Sequence, residues 1–453
     1  MKKERLLALK KNVEKKKTIL PAEFNKKMTI REAVALAIEA ARAGQVNGAQ
    51  SVVTNMRKKF GDDLIPSSMD VKEPFLPLDA IPFHLSYAEG MDGAGAAIPT
   101  EMDLDASDEI IMENFGTLQQ WGQEWLRYMG ENASSILEDF QKKGSLVQAH
   151  LFDLSKIKDP TQAVVCGSGA SLNEMSKFLP DFPGIVVCGA SNASNVAASG
   201  RVPDLILAID AGVGTILHLS GVPYDSLGST LITPTASNPE VPCLFPNNRL
   251  WFTSIIQMAK GANHPFNVFS HMLFPFIQSF MFQAGCTINA ELLFLNLLSE
   301  YKKISLDAVY LLGCDFAYKK GASRCLAYKR NDDLTYEQRD ISHSTTEIQT
   351  RSQIWRSANG LLTDDTMLGY KRSLLTVWLI SKLPIYDCSD GIITEVPKVE
   401  FIRLAKDGFR GRPPSYEHGT IIEAYNRYLT SIGYIPGKAP GFEGQKVEGE
   451  LWT

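Results

Sequence analysis

Ala163-Val164-Val165-Cys166-Gly167-Ser168-Gly169-Ala170-Ser171-Leu172-Asn173 is the stretch that decides the fold. Four small or β-branched apolar residues in succession make a strand buried on both faces, because a strand with one wet face alternates apolar and polar residues. Gly167 and Gly169 end the run, and helical spacing takes over from Leu172 to Phe178. Strand, glycine turn and helix follow one another within sixteen residues.

The same rhythm continues downstream. Apolar runs at Ile185–Cys188, Leu205–Ile209, Thr230–Thr233 and Ala308–Leu312 alternate with helical segments such as Ser194–Ser199 and Asn289–Tyr301. This pattern predicts an α/β fold, a Rossmann-like, doubly wound and mostly parallel sheet covered on both faces. Such sheets bind ligands beyond the carboxyl ends of their strands.

The residues at those ends share a character. Gly167, Ser168, Gly169 and Ser171 form a glycine-rich turn that opens a helix, a geometry in which backbone N–H groups and the helix terminus attract an anion. No Lys follows, so it is not a Walker A loop, and Leu172 occupies the third glycine position of the dinucleotide fingerprint. A tight strand-to-helix turn explains the same glycines. After the second strand, Ser191 and Asn192 offer either ribose or base contacts or a helix N-cap. Asp210 and Asp315 stand at two further strand ends, where a carboxylate serves as base, metal ligand, sugar-hydroxyl acceptor or loop cap.

Composition narrows the classes. Across 453 residues, 46 basic against 51 acidic side chains leave a formal net charge of −5, which argues against general nucleic-acid binding. The seven cysteines show no CxxC or zinc spacing, so no metal site is expected and a reducing, cytoplasmic setting is. The apolar segments Met272–Phe282 and Ile288–Leu298 are interrupted by Pro275, Gln278, Asn289 and Glu291, too soon for a membrane span.

Around the α/β unit, residues 1–65 read as an N-terminal helical region with a capping box at Thr29 and Glu32. Residues 66–155 read as a linker plus amphipathic helices, with Leu118, Trp121, Trp125 and Met129 as a core stripe. The α/β domain is expected over 156–405, including an amphipathic stretch at Met367–Ile380. A C-terminal extension covers 406–453, and its glycine-rich end from Pro436 is expected to have no fixed structure.

The order of VVCGSGASLNE, IVVCGASNASNVAASGRVPDLILAIDAG, TPTASNP, QAGCTINAELL, VYLLGCDFAY and ANGLLTDDTMLGYKRSLL resembles the MptE-like family. That family groups archaeal 6-hydroxymethylpterin diphosphokinases with bacterial motility accessory factors, the Maf proteins that glycosylate flagellin with nonulosonic acids. More distantly, the glycine loop followed by a small-Asn turn is similar to bacterial sialyltransferases that use CMP-sialic acid. The resemblance implies that Gly167, Gly169 and Ser171 meet the phosphates and Asn192 the ribose or base, with Thr235, Thr287 and Gly313 lining the same pocket. Three departures stand out: Ala170 replaces a proline, Gly285-Cys286-Thr287 replaces Gly-Gly-Ser, and Gly321–Cys325 lacks the family histidine. His343 is the nearest downstream substitute for that base.

The expectation is therefore a glycosyltransferase that takes a nucleotide sugar, a CMP-activated acidic sugar by resemblance, to a protein or glycan acceptor. Asp210, Asp315 and His343 are its candidate catalytic groups. A pterin diphosphokinase using ATP and Mg²⁺, and a family-like assembly module without catalysis, are the alternatives.

Overall fold

Successive side chains of a strand point to opposite faces of its sheet, so an unbroken apolar strand needs a cover on both. The computed structural model describes residues 124–142, 152–256, 279–282, 286–319, 324–339, 354–357, 359–432 and 445–446. The expected helices of 1–65, the linker, Leu118, Trp121 and His343 lie outside the described residues.

Helix α1 spans residues 124–142. After it come β1 (Gln162–Cys166), α2 (Leu172–Met175), β2 (Ile185–Gly189), α3 (Ala193–Ala198), β3 (Leu205–Leu207), α4 (Val213–Leu219) and α5 (Tyr224–Leu227). Then follow β4 (Thr230–Pro234), α6 (Glu240–Cys243), β5 (Arg249–Ile256), β6 (Ser279–Phe282), α7 (Thr287–Lys302) and β7 (Ala308–Leu312). The last part holds β8 (Ala327–Arg330), β9 (Tyr336–Arg339), β10 (Ile354–Arg356), β11 (Leu362–Asp364), α8 (Asp365–Ser381), β12 (Ile385–Asp387), α9 (Phe401–Lys406), α10 (His418–Ser431) and β13 (Gln445–Lys446).

Eight strands form the main sheet in the order β12-β7-β1-β2-β3-β4-β5-β6, with every pairing parallel. The fold is Rossmann-like. Register places Val164 opposite Val186 and Val165 opposite Val187. Odd and even positions then part company: Ala163, Val165, Ile185, Val187, Val309 and Leu311 join one buried cluster, while Val164, Cys166, Val186, Cys188, Tyr310 and Leu312 join the other. Each such fully buried aliphatic side chain contributes roughly 1.5–3 kcal/mol.

On the first face, α7 packs over β1, β2 and β3, α8 packs on α7, and α10 on α8. Asp364 caps α8 by accepting from the Met367 N–H at 2.8 Å. Ile421, Ala424, Tyr425 and Tyr428 of α10 belong to the same cluster as the sheet, so the core continues past residue 405. The expectation of a structureless tail is corrected at β13, which pairs antiparallel with β10, so that Gln445 faces Arg356 and Lys446 faces Trp355. The mate of β13 lies far upstream, which local composition does not register.

Helix α1 docks beside β5 through a buried polar knot. Asp139 accepts from Arg249 Nε at 2.6 Å and from Trp251 Nε1 at 2.8 Å, and the Asn132 amide donates to the carbonyls of Thr235 and Ser237.

Candidate functional site

From β1 the chain builds β2 to β6 on one side, then returns to lay β7 and β12 on the other. Helices on either side of that reversal diverge and leave a crevice at the carboxyl ends of β1 and β7. A cleft of about 330 Å³ occupies this place, walled by residues past β1, β2, β3 and β7 and by the start of α7.

Its floor is the contact between two glycine turns. Gly167 donates its N–H to Leu312 O at 2.7 Å, and Gly169 donates to Gly313 O at 2.7 Å. A Cβ on Gly167 would strike the Gly313 carbonyl, and one on Gly169 would stand 2.6 Å from both that oxygen and the Asp315 carboxylate. Gly313 has φ +64°, a left-handed conformation that favours glycine. Close approach of β1 to β7 thus accounts for these glycines. Ser171 donates its N–H to Asp315 Oδ2 at 2.9 Å and its hydroxyl to Asp315 Oδ1. The amides of Gly167, Gly169 and Ser171 are all engaged within the fold, and among the described residues those of Ser168 and Ala170 have no partner.

Of the residues singled out in the sequence, Gly167, Ser168, Gly169, Asp210, Thr287, Gly313 and Asp315 line the cleft. Ser168 Oγ lies 2.6 Å from Ser191 Oγ, tying the first two turns together on the wall. Asn192 is fully buried and off the wall; its Nδ2 donates to Cys166 O, so it positions the end of β1. It occupies the N-cap position of α3 without a side-chain capping bond. Thr235 is also buried away from the cleft, on the side where its carbonyl meets Asn132.

The cleft's carboxyls differ in kind. Asp210 is exposed, with Oδ1 accepting from Gly212 N–H at 2.7 Å. Asp315 is buried, and loss of hydration raises its pKa while the two bonds from Ser171 pull the other way. Glu291, which the sequence showed only as an interruption of an apolar run, is fully buried in α7 yet belongs to the wall. Burial alone pushes its carboxyl well above the usual range, and neither of its oxygens has a hydrogen-bond partner. His218, Arg324 and Tyr370 complete the ionisable groups of the wall together with buried thiols. A single Glu within Ile288–Leu298 was the signal available in the sequence; what surrounds it was not.

No family model and no curated protein matches the chain. A solved structure similar to it is that of a Maf glycosyltransferase from Magnetospirillum magneticum AMB-1, at 15% identity and a TM-score of 0.30. The match covers 61% of this chain and 42% of that one, so the chain spans less than half the length of that protein. Among the described residues no helix is long and apolar enough to cross a membrane, and no three His, Cys, Asp or Glu side chains converge on a metal position.

Proposed function

We propose that the cleft binds a nucleotide sugar and that the protein is a glycosyltransferase acting on a protein or glycan acceptor. The observation that carries this reading is the unequal exposure and hydrogen bonding of the three carboxyls around the cleft. A triphosphate kinase site gathers ionised carboxylates around Mg²⁺. Here both oxygens of Asp315 are held by Ser171, and burial favours the proton on Glu291. Asp210 remains as the exposed carboxylate. One open base beside neutral anion donors suits glycosyl transfer better than metal-bridged phosphoryl transfer.

In this reading, the hydroxyls of Ser168 and Thr287, the amide of Ser168 and the N-terminus of α7 receive the donor's phosphate. Asp210 takes the acceptor proton as the acceptor oxygen bonds the anomeric carbon. The bond from that carbon to the phosphate oxygen breaks, and its electron pair leaves with the nucleotide. Asn192, Ser171 and Thr235 hold the scaffold rather than the ligand, and a CMP-activated acidic sugar is the proposed donor.

Thermal unfolding with CMP, CDP, UDP and ATP, each with and without Mg²⁺, tests the proposal. A ligand at 100 times its Kd adds about 2.7 kcal/mol to stability. Stabilisation by CMP without Mg²⁺, together with CMP release from a CMP-sugar that Asp210→Asn abolishes, is the expected result. Stabilisation by ATP only when Mg²⁺ is present would overturn it in favour of the diphosphokinase. No response to any nucleotide would leave an assembly module.

A further inference from the structure

Glu291 sits one helical turn beyond Thr287, so both side chains leave α7 on the same face. That face meets the end of β2: a Cβ on Gly189 would stand 3.0 Å from Thr287 Cγ2 and 3.5 Å from Glu291 Oε1. Thr287, Gly189 and Glu291 all belong to the cleft wall, at the N-terminus of a 16-residue helix whose cap residue, Cys286, makes no side-chain capping bond. The helix supplies partial positive charge there. An ionised carboxylate at that point would repel any anion drawn to it, whereas a protonated one would hydrogen-bond it.

The surroundings of Glu291 favour the protonated form. Its ionisable neighbours are the thiols of Cys166 on β1, Cys188 on β2, Cys286 at the cap and Cys314 after β7, and burial raises all four, Cys286 to about 12. Tyr370, from the adjacent α8, is on the same wall. Asp210, His218, Asp315 and Arg324 share that wall, and burial is the cause that raises the Glu291 carboxyl. A buried carboxyl with both oxygens unpartnered weakens the fold relative to an apolar side chain of similar size. Such a group has its use where a ligand supplies the missing partner.

We infer that Glu291 is a ligand-binding residue whose carboxyl, as the neutral acid, donates a hydrogen bond to a phosphoryl oxygen seated at the N-terminal turn of α7. The inference rests on the proposed use of this cleft and adds a specificity element to it: a proton-carrying acid in place of a Lys or Arg. It also sets a pH limit. As pH rises through the raised pKa of Glu291, the acid ionises, the donor disappears and a like charge takes its place, so phosphate affinity falls.

The test is calorimetric titration of inorganic phosphate and of CMP into the full chain, its Glu291→Gln variant and its Glu291→Leu variant, with thermal unfolding and circular dichroism on each. Glu291→Gln keeps a neutral donor and acceptor, so its affinity stays within about threefold of wild type near neutral pH, and the decline at higher pH that wild type shows is absent. Glu291→Leu removes the donor and lowers affinity by about tenfold or more, while its melting temperature is equal or higher because an unpartnered buried acid is gone. A merely structural Glu would show the reverse stability change.

The outcomes separate the two claims. CMP binding that is undiminished in folded Glu291→Leu overturns the role of Glu291 and leaves the nucleotide site standing. Phosphate binding that depends on Glu291 without any CMP binding sustains the inference and removes the nucleotide reading. Absence of binding by both probes overturns both.

Discussion

Adding one methyl group at two glycines of the same cleft is expected to move stability in opposite directions. At Gly169 a Cβ would lie 2.6 Å from the Asp315 carboxylate and 2.6 Å from Gly313 O, whereas at Gly214 a Cβ would meet nothing within 4 Å. The Gly313 oxygen is backbone and already accepts from Gly169, so it has little room to yield. Asp315 is pinned by both Ser171 donors. Overpacking at such a site costs about 1–3 kcal/mol. Displacing Asp315 from Ser171 adds about 1.5–3 kcal/mol for bonds to a charged group. Gly169→Ala should therefore lose about 2.5–6 kcal/mol. Gly214→Ala, within α4, should gain up to about 1 kcal/mol from helix propensity. Urea unfolding followed by tryptophan fluorescence gives both values as shifts in midpoint, provided the slope is unchanged. A Gly169→Ala protein within about 0.5 kcal/mol of wild type would refute the claim that the β1–β7 contact requires this glycine.

Two further predictions concern the scaffold. Asp139→Ala removes the carboxylate that pairs with the buried Arg249 guanidinium and accepts from Trp251, so a loss of about 3–5 kcal/mol is expected in the same assay. A loss below about 1 kcal/mol would mean that α1 does not depend on this knot. Asp387 at the end of β12 is pushed by burial from 3.8 to about 6, against the pull of the Ser389 N–H and of Lys398 at 3.3 Å. The folded protein keeps a proton that the unfolded chain releases. Its stabilising effect is therefore present below pH 3.8 and lost as pH rises to about 6, a change of about 3 kcal/mol. Unfolding midpoints of wild type and Asp387→Asn between these pH values should diverge by that trend, and parallel curves would contradict it.

Much of the architecture was legible because it is written locally. Ala163–Cys166, Ile185–Cys188, Thr230–Thr233 and Ala308–Leu312 match β1, β2, β4 and β7 within a residue. The expected strand at Leu205–Ile209 stops at Leu207, and the expected helix at Leu172–Phe178 is α2 followed by a 3₁₀ turn at Ser176–Phe178. The strand β5 was not read, since it begins at Arg249, whose charge looks solvent-facing until Asp139 arrives from a distant helix. The strand β12 has three residues and is identified by its pairing with β7.

The sequence by itself determined the order of strands and helices, the two apolar faces and the place to look for a site, since these follow from periodicities of two and 3.6 residues. Tertiary structure decided which groups at that place are open to a ligand. The Gly167 and Gly169 amides are closed by carbonyls at the end of β7 and just after it, and the raised pKa of Glu291 follows from its burial among neighbours that only the fold brings together. Hydrogen-bond occupancy and desolvation are set by neighbours in space, and spacing along the chain does not encode them.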